Sequence, residues 1–309
     1  MPELQTRELT VTPLGYALGA QVTGLDLRRP LDDLTRRRLY DAWLRHGVLV
    51  FPDQPLTPEQ HIAFSANFGE LDQHESQAPE TLLEGHREIL VVTNKHRLGK
   101  PSGTRNTGRN WHTDLSYSLR PAKGSLLLCQ EKPPVGGDTM WANLTMAYET
   151  LSPKMQAILD GLEAVHDVSL VKGIGARDPA VIQGLKSRNP PVVHPMVRVH
   201  PDTGKKSLLA GERVSHILGF SEDESTALLN FLNAHATSPE FVYRHRWSVG
   251  DIVLWDNRCT CHVALPDFDQ SQPRLMLRCS LKGEAEGRLA EDMPAATKEQ
   301  MIQTVASLS

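Results

Sequence analysis

Asn110-Trp111-His112-Thr113-Asp114 sets an imidazole and a carboxylate two residues apart. On an extended segment alternate side chains share a face, so His112 and Asp114 point the same way. Two ligands on one face make most of a metal site. A third is offered far along the chain by Trp255-Asp256-Asn257-Arg258-Cys259-Thr260-Cys261-His262. Two histidines and one carboxylate on one side of a metal leave its other positions open. That is the facial triad that holds non-haem Fe(II) in oxygenases. A bare His-x-Asp triplet is a weak sign of metal binding, so its meaning depends on its company.

The company is cationic. Arg274 lies twelve residues past His262, and Arg278 four further. The period of a strand puts both arginines on one face. A 2-oxo acid chelates a metal through its carboxylate and keto oxygens, which leaves its far carboxylate at the end of the pocket. A guanidinium fork matches that carboxylate with two parallel hydrogen bonds. A buried cation without a partner is costly, so two inward arginines near a metal ligand call for an anion.

Such a site needs an apolar frame. The chain of 309 residues suits one large domain or two ordinary ones and is long enough for a sizeable core. A formal net charge of −4 gives no global attraction to nucleic acid or to an anionic membrane. No apolar run reaches the length of a membrane span. Met1-Pro2-Glu3-Leu4-Gln5 lacks the basic start and apolar core of a secretory signal, so a cytoplasmic enzyme is expected. Four cysteines, Cys129, Cys259, Cys261 and Cys279, are too few for a disulfide scaffold. On a strand, Cys259 and Cys261 face away from His262, which argues against a Cys-Cys-His zinc site.

The pattern predicts strands at 7–12, 21–27, 48–51, 88–93, 124–130, 139–142, 162–170, 191–199, 206–210, 241–247, 251–255, 260–265 and 274–282. Helices are expected after Asp32-Asp33 up to Gly47, from the Thr57 cap to Phe68, across 144–160 with a break at Ser152-Pro153, and over 221–235 behind a Ser221/Glu224 capping box. Residues 70–87 read as an irregular loop carrying His74. Periodicity fails over 171–191, which holds Lys172, Arg177, Lys186 and Arg188, and a mobile flap over the site is expected there. The tail after Gly283 is acidic, then helical near 297–306. Many short strands with helices between them predict an α+β domain built on an antiparallel sandwich or barrel. Arg244-His245-Arg246 reads as an edge or solvated face, and His166, His194, His200, His216, His235 and His245 as packed or surface residues.

Several motifs together resemble the taurine/2,4-dichlorophenoxyacetate dioxygenase (TauD/TfdA) family. They are Asn-Trp-His112-Thr-Asp114, Gly136-Gly137-Asp138-Thr139, Tyr148-Glu-Thr-Leu-Ser152, Trp255 through His262, and Pro273-Arg274-Leu-Met-Leu-Arg278. The likeness runs from about residue 10 to 283. It implies a double-stranded β-helix (jelly-roll) core with flanking helices in a single domain over 1–283, followed by an extension over 284–309. It also implies Fe(II) on His112, Asp114 and His262, with 2-oxoglutarate as cosubstrate and O2 as oxidant. On the same likeness Thr139 and Arg274 hold the far carboxylate of 2-oxoglutarate. Arg278 falls where members contact an anionic group of the substrate or assist catalysis, and His74 falls near a substrate-contacting histidine. The implied reaction oxidises 2-oxoglutarate to succinate and CO2 and hydroxylates a C–H bond of a small anionic substrate, with C–heteroatom cleavage where the carbon bears an ether, sulfonate or amine. A homo-oligomer is expected. Two other readings stand beside it: a zinc hydrolase on the same triad, which has no use for Arg274, and a non-catalytic binding module.

Overall fold

The computed structural model describes residues 9–75, 77, 79–97, 100–101, 107–171, 179–209 and 211–290. Strands β1 (Thr10–Pro13) and β2 (Ala20–Thr23) lead to helix α1 (Asp33–His46). Asp32 caps α1 by accepting from the Thr35 amide at 2.8 Å, and Gly47 ends it in a left-handed turn at φ 67°. Strand β3 (Val48–Phe51) follows directly. Thr57 and Gln60 close a capping box on α2 (Pro58–Ser65), with proline in the first turn where no amide is needed. Next come β4 (Leu82–Leu83), β5 (His86–Thr93) and a short hairpin of β6 (His96–Arg97) and β7 (Lys100–Pro101). Beyond the motif lie β8 (Gly124–Glu131), β9 (Thr139–Asn143), α3 (Leu144–Glu149) and α4 (Pro153–Leu159), the last capped by Ser152.

The second half adds β10 (Glu163–His166), α5 (Pro179–Arg188), β11 (Val192–Pro195), β12 (Val197–Val199), β13 (Lys206–Leu208) and β14 (Val214–Ile217). Helix α6 (Glu222–Ala236) starts at the Ser221/Glu224 capping box, and β15 (Val242–His245), β16 (Ile252–Asp256), β17 (Thr260–Ala264), β18 (Leu275–Leu281) and β19 (Arg288–Leu289) complete the chain. None of the described helices is long and apolar enough to cross a membrane.

Among the described residues the largest sheet runs β1-β2-β3-β16-β8-β18-β5-β4, antiparallel except at β2/β3, and a smaller one runs β15-β9-β17. Both faces of the large sheet are buried, and alternation along each strand sorts the side chains between two cores. Leu49, Phe51, Leu126, Leu128, Ile252, Leu254, Leu277 and Cys279 pack with Leu39 and Trp43 of α1 and Phe64 of α2. Val48, Val50, Leu127, Cys129, Val253, Trp255 and Met276 point the other way, onto Trp141 of the small sheet and onto Trp247. The small sheet's outer face, Ala142 and Cys261, packs on α3, α4 and α6. The site therefore opens between two sheets, each braced from behind by helices.

The sequence-based expectations differ from the structure in several places. The loop expected over 70–87 carries a 3-10 segment, Pro79–Thr81, and strand β4; the strand expected over 191–199 is two, β11 and β12; and β14 is not among the expected strands. The strand expected over 162–170 ends at His166, because the Asp167 side chain accepts from the Ser169 amide at 2.7 Å and turns the chain into a 3-10 segment, Val168–Leu170. Half of the expected flap is the helix α5. Its apolar stripe is short: Ile182 and Leu185 pack toward Tyr117, Val168 and Val171, and the flanking cations and Gly184 obscure that period. Residues 172–178 lie outside the described residues. The fold also runs past Gly283: β19 pairs with β11, and Glu286 accepts from Arg198 at 2.8 and 2.7 Å. The helix expected near 297–306 lies outside the described residues. Finally, the Arg244-His245-Arg246 stretch lies at the end of an edge strand as expected, β15, but it is not solvated throughout, since His245 is buried and paired with Asp251 at 3.0 Å.

His61 of α2 is fully buried, and burial pushes its imidazole from 6.5 down to about 4. Between those values the unfolded chain holds a proton that the folded chain does not, so stability is complete above the upper value and falls as pH drops toward the lower. His74 and His262, also lowered to about 4, act in the same direction. The urea midpoint of the metal-free protein is expected to fall across this window, and less steeply in His61→Leu. Parallel curves for the two proteins would contradict it.

Candidate functional site

His112 and His262 face each other across an isolated antiparallel bridge. The His112 amide donates to the His262 carbonyl at 3.0 Å, and the return bond is 2.8 Å. The ring centroids are 4.2 Å apart. Asp114 follows two residues on, where the segment has left regular strand geometry. Leu115 then takes a left-handed backbone at φ 54°, a conformation costing a non-glycine residue about 1 kcal/mol or more. Asp114 lies 3.8 Å from His112 Nε2 and 4.0 Å from His262 Nε2 by its nearest oxygens, all three side chains being buried.

The donor set fits a divalent metal. One ligand atom from each of His112, Asp114 and His262 lies within 4.8 Å of the others. His112 Nδ1 lies 2.8 Å from the Asn110 carbonyl oxygen, which can only accept, so Nδ1 carries the proton and Nε2 presents its lone pair. Burial, then the neighbouring His262 and Arg213, hold His112 well below its ordinary value, and burial lowers His262 to about 4. Both rings are neutral ligands at neutral pH. Burial alone would raise the Asp114 carboxyl, but Arg278 and Arg213, joined by His262 and His112 where acid protonates those rings, outweigh it and keep the group ionised.

The Asp114 carboxylate is held on both sides. Arg278 Nη1 donates to Oδ1 at 2.9 Å and Ser125 Oγ to Oδ2 at 2.8 Å. Asn257 ties these parts together. Its Nδ2 donates to Ser125 Oγ at 3.1 Å, and its Oδ1 accepts from the Asp114 amide at 3.3 Å and from Trp255 Nε1 at 3.0 Å. The tight turn between β16 and β17 thus sets a candidate ligand on a distant segment.

The three candidate ligands line a cavity of about 360 Å³ together with Thr139, Arg274 and Arg278. Arg274 is buried, donates through Nε to the Gly137 carbonyl at 3.0 Å, and has no carboxylate partner among the described residues. Burial lowers it only to about 10, so it stays charged. The spacing argument for the two arginines holds: β18 pairs regularly with β5, and its irregular step against β8 leaves Arg274 and Arg278 on the cavity side. His74 is buried at φ 50°, and the cavity wall nearby is made by Gln77, Glu80 and Thr81 instead.

Sequence reasoning missed Arg213 and Tyr117. Arg213 is only 7% exposed, donates to the Thr113 carbonyl at 3.1 Å, stacks over Tyr117 at 5.1 Å, and leaves its buried Nε without a partner. No periodicity marks it. The nearest signal is Gly211, at φ 139°, where a Cβ would stand 3.0 Å from the Trp111 carbonyl oxygen. From the expected flap region, Val171, Leu185, Arg188 and Asn189 reach the same cavity.

A family model for the taurine catabolism dioxygenase TauD, TfdA family matches residues 10–280. An (S)-phenoxypropionate/alpha-ketoglutarate-dioxygenase of Sphingobium herbicidovorans is 35% identical over 279 residues, covering 89% of this chain and 95% of that protein. An alpha-ketoglutarate-dependent sulfate ester dioxygenase of Pseudomonas putida is 34% identical over 287 residues, 90% of each chain. The crystal structure of AAD-2 in complex with Mn(II) and N-oxalylglycine superposes with a TM-score of 0.79 at 34% identity, covering 92% of this chain and all of that one.

Removing a group that orients a metal ligand typically costs ten- to a hundred-fold in affinity. Ser125→Ala is therefore expected to weaken Mn(II) binding by roughly ten-fold or more in a calorimetric titration, with an unchanged far-UV spectrum. Wild-type affinity in that variant would remove Ser125 from the account of Asp114.

Proposed function

The chain belongs to the TauD/TfdA dioxygenase family, and on that premise we propose how its own residues divide the work of a reaction that depends on Fe(II), 2-oxoglutarate and O2. As a member the protein is a 2-oxoglutarate-dependent dioxygenase, an oxidoreductase. His112, Asp114 and His262 are the residues that would hold Fe(II). When bound, the metal supplies the oxidising chemistry that turns 2-oxoglutarate into succinate and CO2 and hydroxylates a substrate C–H bond. The protein binds, orients and keeps out water.

The observation that carries the assignment is Arg274, a buried cation with no carboxylate partner among the described residues, in the triad's own cavity. An uncompensated buried charge is strongly unfavourable, so the pocket calls for an anion there. The far carboxylate of 2-oxoglutarate fits Arg274 and the adjacent Thr139 hydroxyl. Arg278 neutralises Asp114 and fixes its plane, which gives it a supporting part in the site, and its buried Nε, without a hydrogen-bond partner, is left as a second contact for an anion. The facing of the large sheet and β15-β9-β17 supports a jelly-roll core within one domain that reaches at least to residue 290.

The substrate is read from the other wall. Arg213 offers a second buried guanidinium, and Leu115, Tyr117, Val168, Val171 and Leu185 form an apolar surface beside it. A small anion with an apolar body fits that pairing. The curated relatives act on a phenoxypropionate and on sulfate esters, by their names, and both are of this type. Helix α5 would cover the bound molecule. His74 is buried nearby with its Nε2 unpartnered, which supports a place beside the substrate end rather than on the cavity wall.

Anaerobic addition of Fe(II) and 2-oxoglutarate to the metal-free protein is expected to give a visible charge-transfer band, absent in His262→Ala. Tight Zn(II) binding with no response to 2-oxoglutarate would instead favour a hydrolase. Arg213→Gln removes a charge-assisted contact worth about 1.5–3 kcal/mol. With an alkyl sulfate or a phenoxypropionate as substrate, KM should rise by roughly ten- to a hundred-fold, while the cosubstrate's own KM stays unchanged. A rise confined to 2-oxoglutarate would move Arg213 to the cosubstrate.

A further inference from the structure

Thr139 opens β9 with its side chain buried on the cavity wall. Its Oγ1 lies 3.0 Å from Trp247 Nε1 and 3.5 Å from Arg274 Nη2. An indole N–H and a guanidinium N–H can only donate, whereas a hydroxyl has two lone pairs and one proton. The two donors take the lone pairs, so the Thr139 proton must go elsewhere. Among the described residues no group accepts it, and the open direction is the cavity. With Arg274 beside it, the Thr139–Arg274 pair presents hydrogen-bond donors only to the cavity.

Trp247 is held in place for this. Its ring meets His245 edge-on at 4.7 Å and 88°. His245 Nε2 lies 3.0 Å from Asp251 Oδ2, which also accepts from the Ser248 amide at 2.8 Å, and the Tyr243 hydroxyl lies 3.1 Å from His245 Nδ1. His245, in the Arg244-His245-Arg246 stretch that reads from the sequence as an edge or solvated face, thereby fixes an indole two residues on.

We propose that Trp247 is a positioning residue that locks the Thr139 hydroxyl as a donor and so makes this end of the cavity select an ionised carboxylate over the corresponding amide. The inference rests on the assignment of Thr139 and Arg274 to the far carboxylate of 2-oxoglutarate. A carboxylate accepts from every donor present. A carboxamide turns its NH2 group against one of them. Without the indole N–H, the hydroxyl is released to rotate and accept from that NH2.

The test compares N-oxalylglycine with N-oxalylglycinamide by calorimetry on the Mn(II)-loaded protein. Trp247→Phe removes the donor. Site-specific replacement of Trp247 by 3-benzothienylalanine removes it while keeping the ring's size, which guards against a folding defect. Either change is expected to weaken N-oxalylglycine by about two- to ten-fold and to narrow the acid-to-amide ratio by a similar factor, with Mn(II) affinity unchanged. On a Thr139→Val background the same change should have no further effect, since the two groups act through one bond. An unchanged ratio in the benzothienylalanine protein, or an equal loss on the Thr139→Val background, overturns the proposal alone. Wild-type protein that takes Mn(II) but binds no N-oxalylglycine overturns the proposed function together with it.

Discussion

His112 and His262 stand 150 residues apart in the chain and directly opposite each other in space, joined by two backbone hydrogen bonds of 2.8 and 3.0 Å. That reciprocal pair is the constraint on which the rest of the site depends. It brings two rings within reach of one metal without asking either side chain to hold the other. Beyond the bridge the two segments stay in contact, with the Ala264 amide donating to the Gly108 carbonyl at 2.7 Å. Asp114, two residues on, then lies within reach of both rings, and Leu115 accepts a left-handed backbone as the chain leaves the sheet. A strained residue next to a ligand is tolerable here because Ser125, Asn257 and Arg278 fix the ligand from three directions.

Much of the frame was legible because its signals are local. Asp32, Thr57, Ser152 and Ser221 each precede a helix they cap, and short continuous apolar runs mark β3, β8 and β16. The candidate ligands were legible too, since His-x-Asp and the tract ending in His262 are local patterns, and the structure brings them together. The structure agrees with the reading that Cys261 turns away from His262: the cysteine packs in the outer core while the histidine faces the cavity. Arg213 was not legible. Its role depends on Thr113 and Tyr117, which approach from another segment, and no period or cap marks such a contact. Helix α5 escaped for a related reason, because only Ile182 and Leu185 turn inward and their partner Tyr117 lies far back in the chain.

The charges of the cavity oppose one another at first sight. A divalent cation held by two histidines and one carboxylate would be repelled by nearby cations, yet Arg213, Arg274 and Arg278 all line the same space. Arg278 is balanced by Asp114 at 2.9 Å. Arg274 and Arg213 have no such balance among the described residues. Desolvation makes that arrangement unfavourable in the empty protein and favourable once anions enter, so part of the affinity for anionic ligands is built in as relief of an unpaired charge. The metal and the anions are then mutually supporting.

Strand β18 shows how one segment meets both demands. Its odd-numbered residues Leu277, Cys279 and Leu281 enter the core under α1 and α2, while Arg274, Met276 and Arg278 turn to the other face. A slip by one residue would exchange the sets, placing two guanidinium groups in an apolar core and leucines against the metal. The register is held on both sides, by β5 and by β8, with the irregular step against β8 confined to Leu275/Met276. That step falls between the two arginines, so the strand can bend there and still keep both on the cavity face. The apolar residues that stabilise the fold and the cations that choose the ligand are thus specified by the same alternation. Selection against misregistered packing also guards the site.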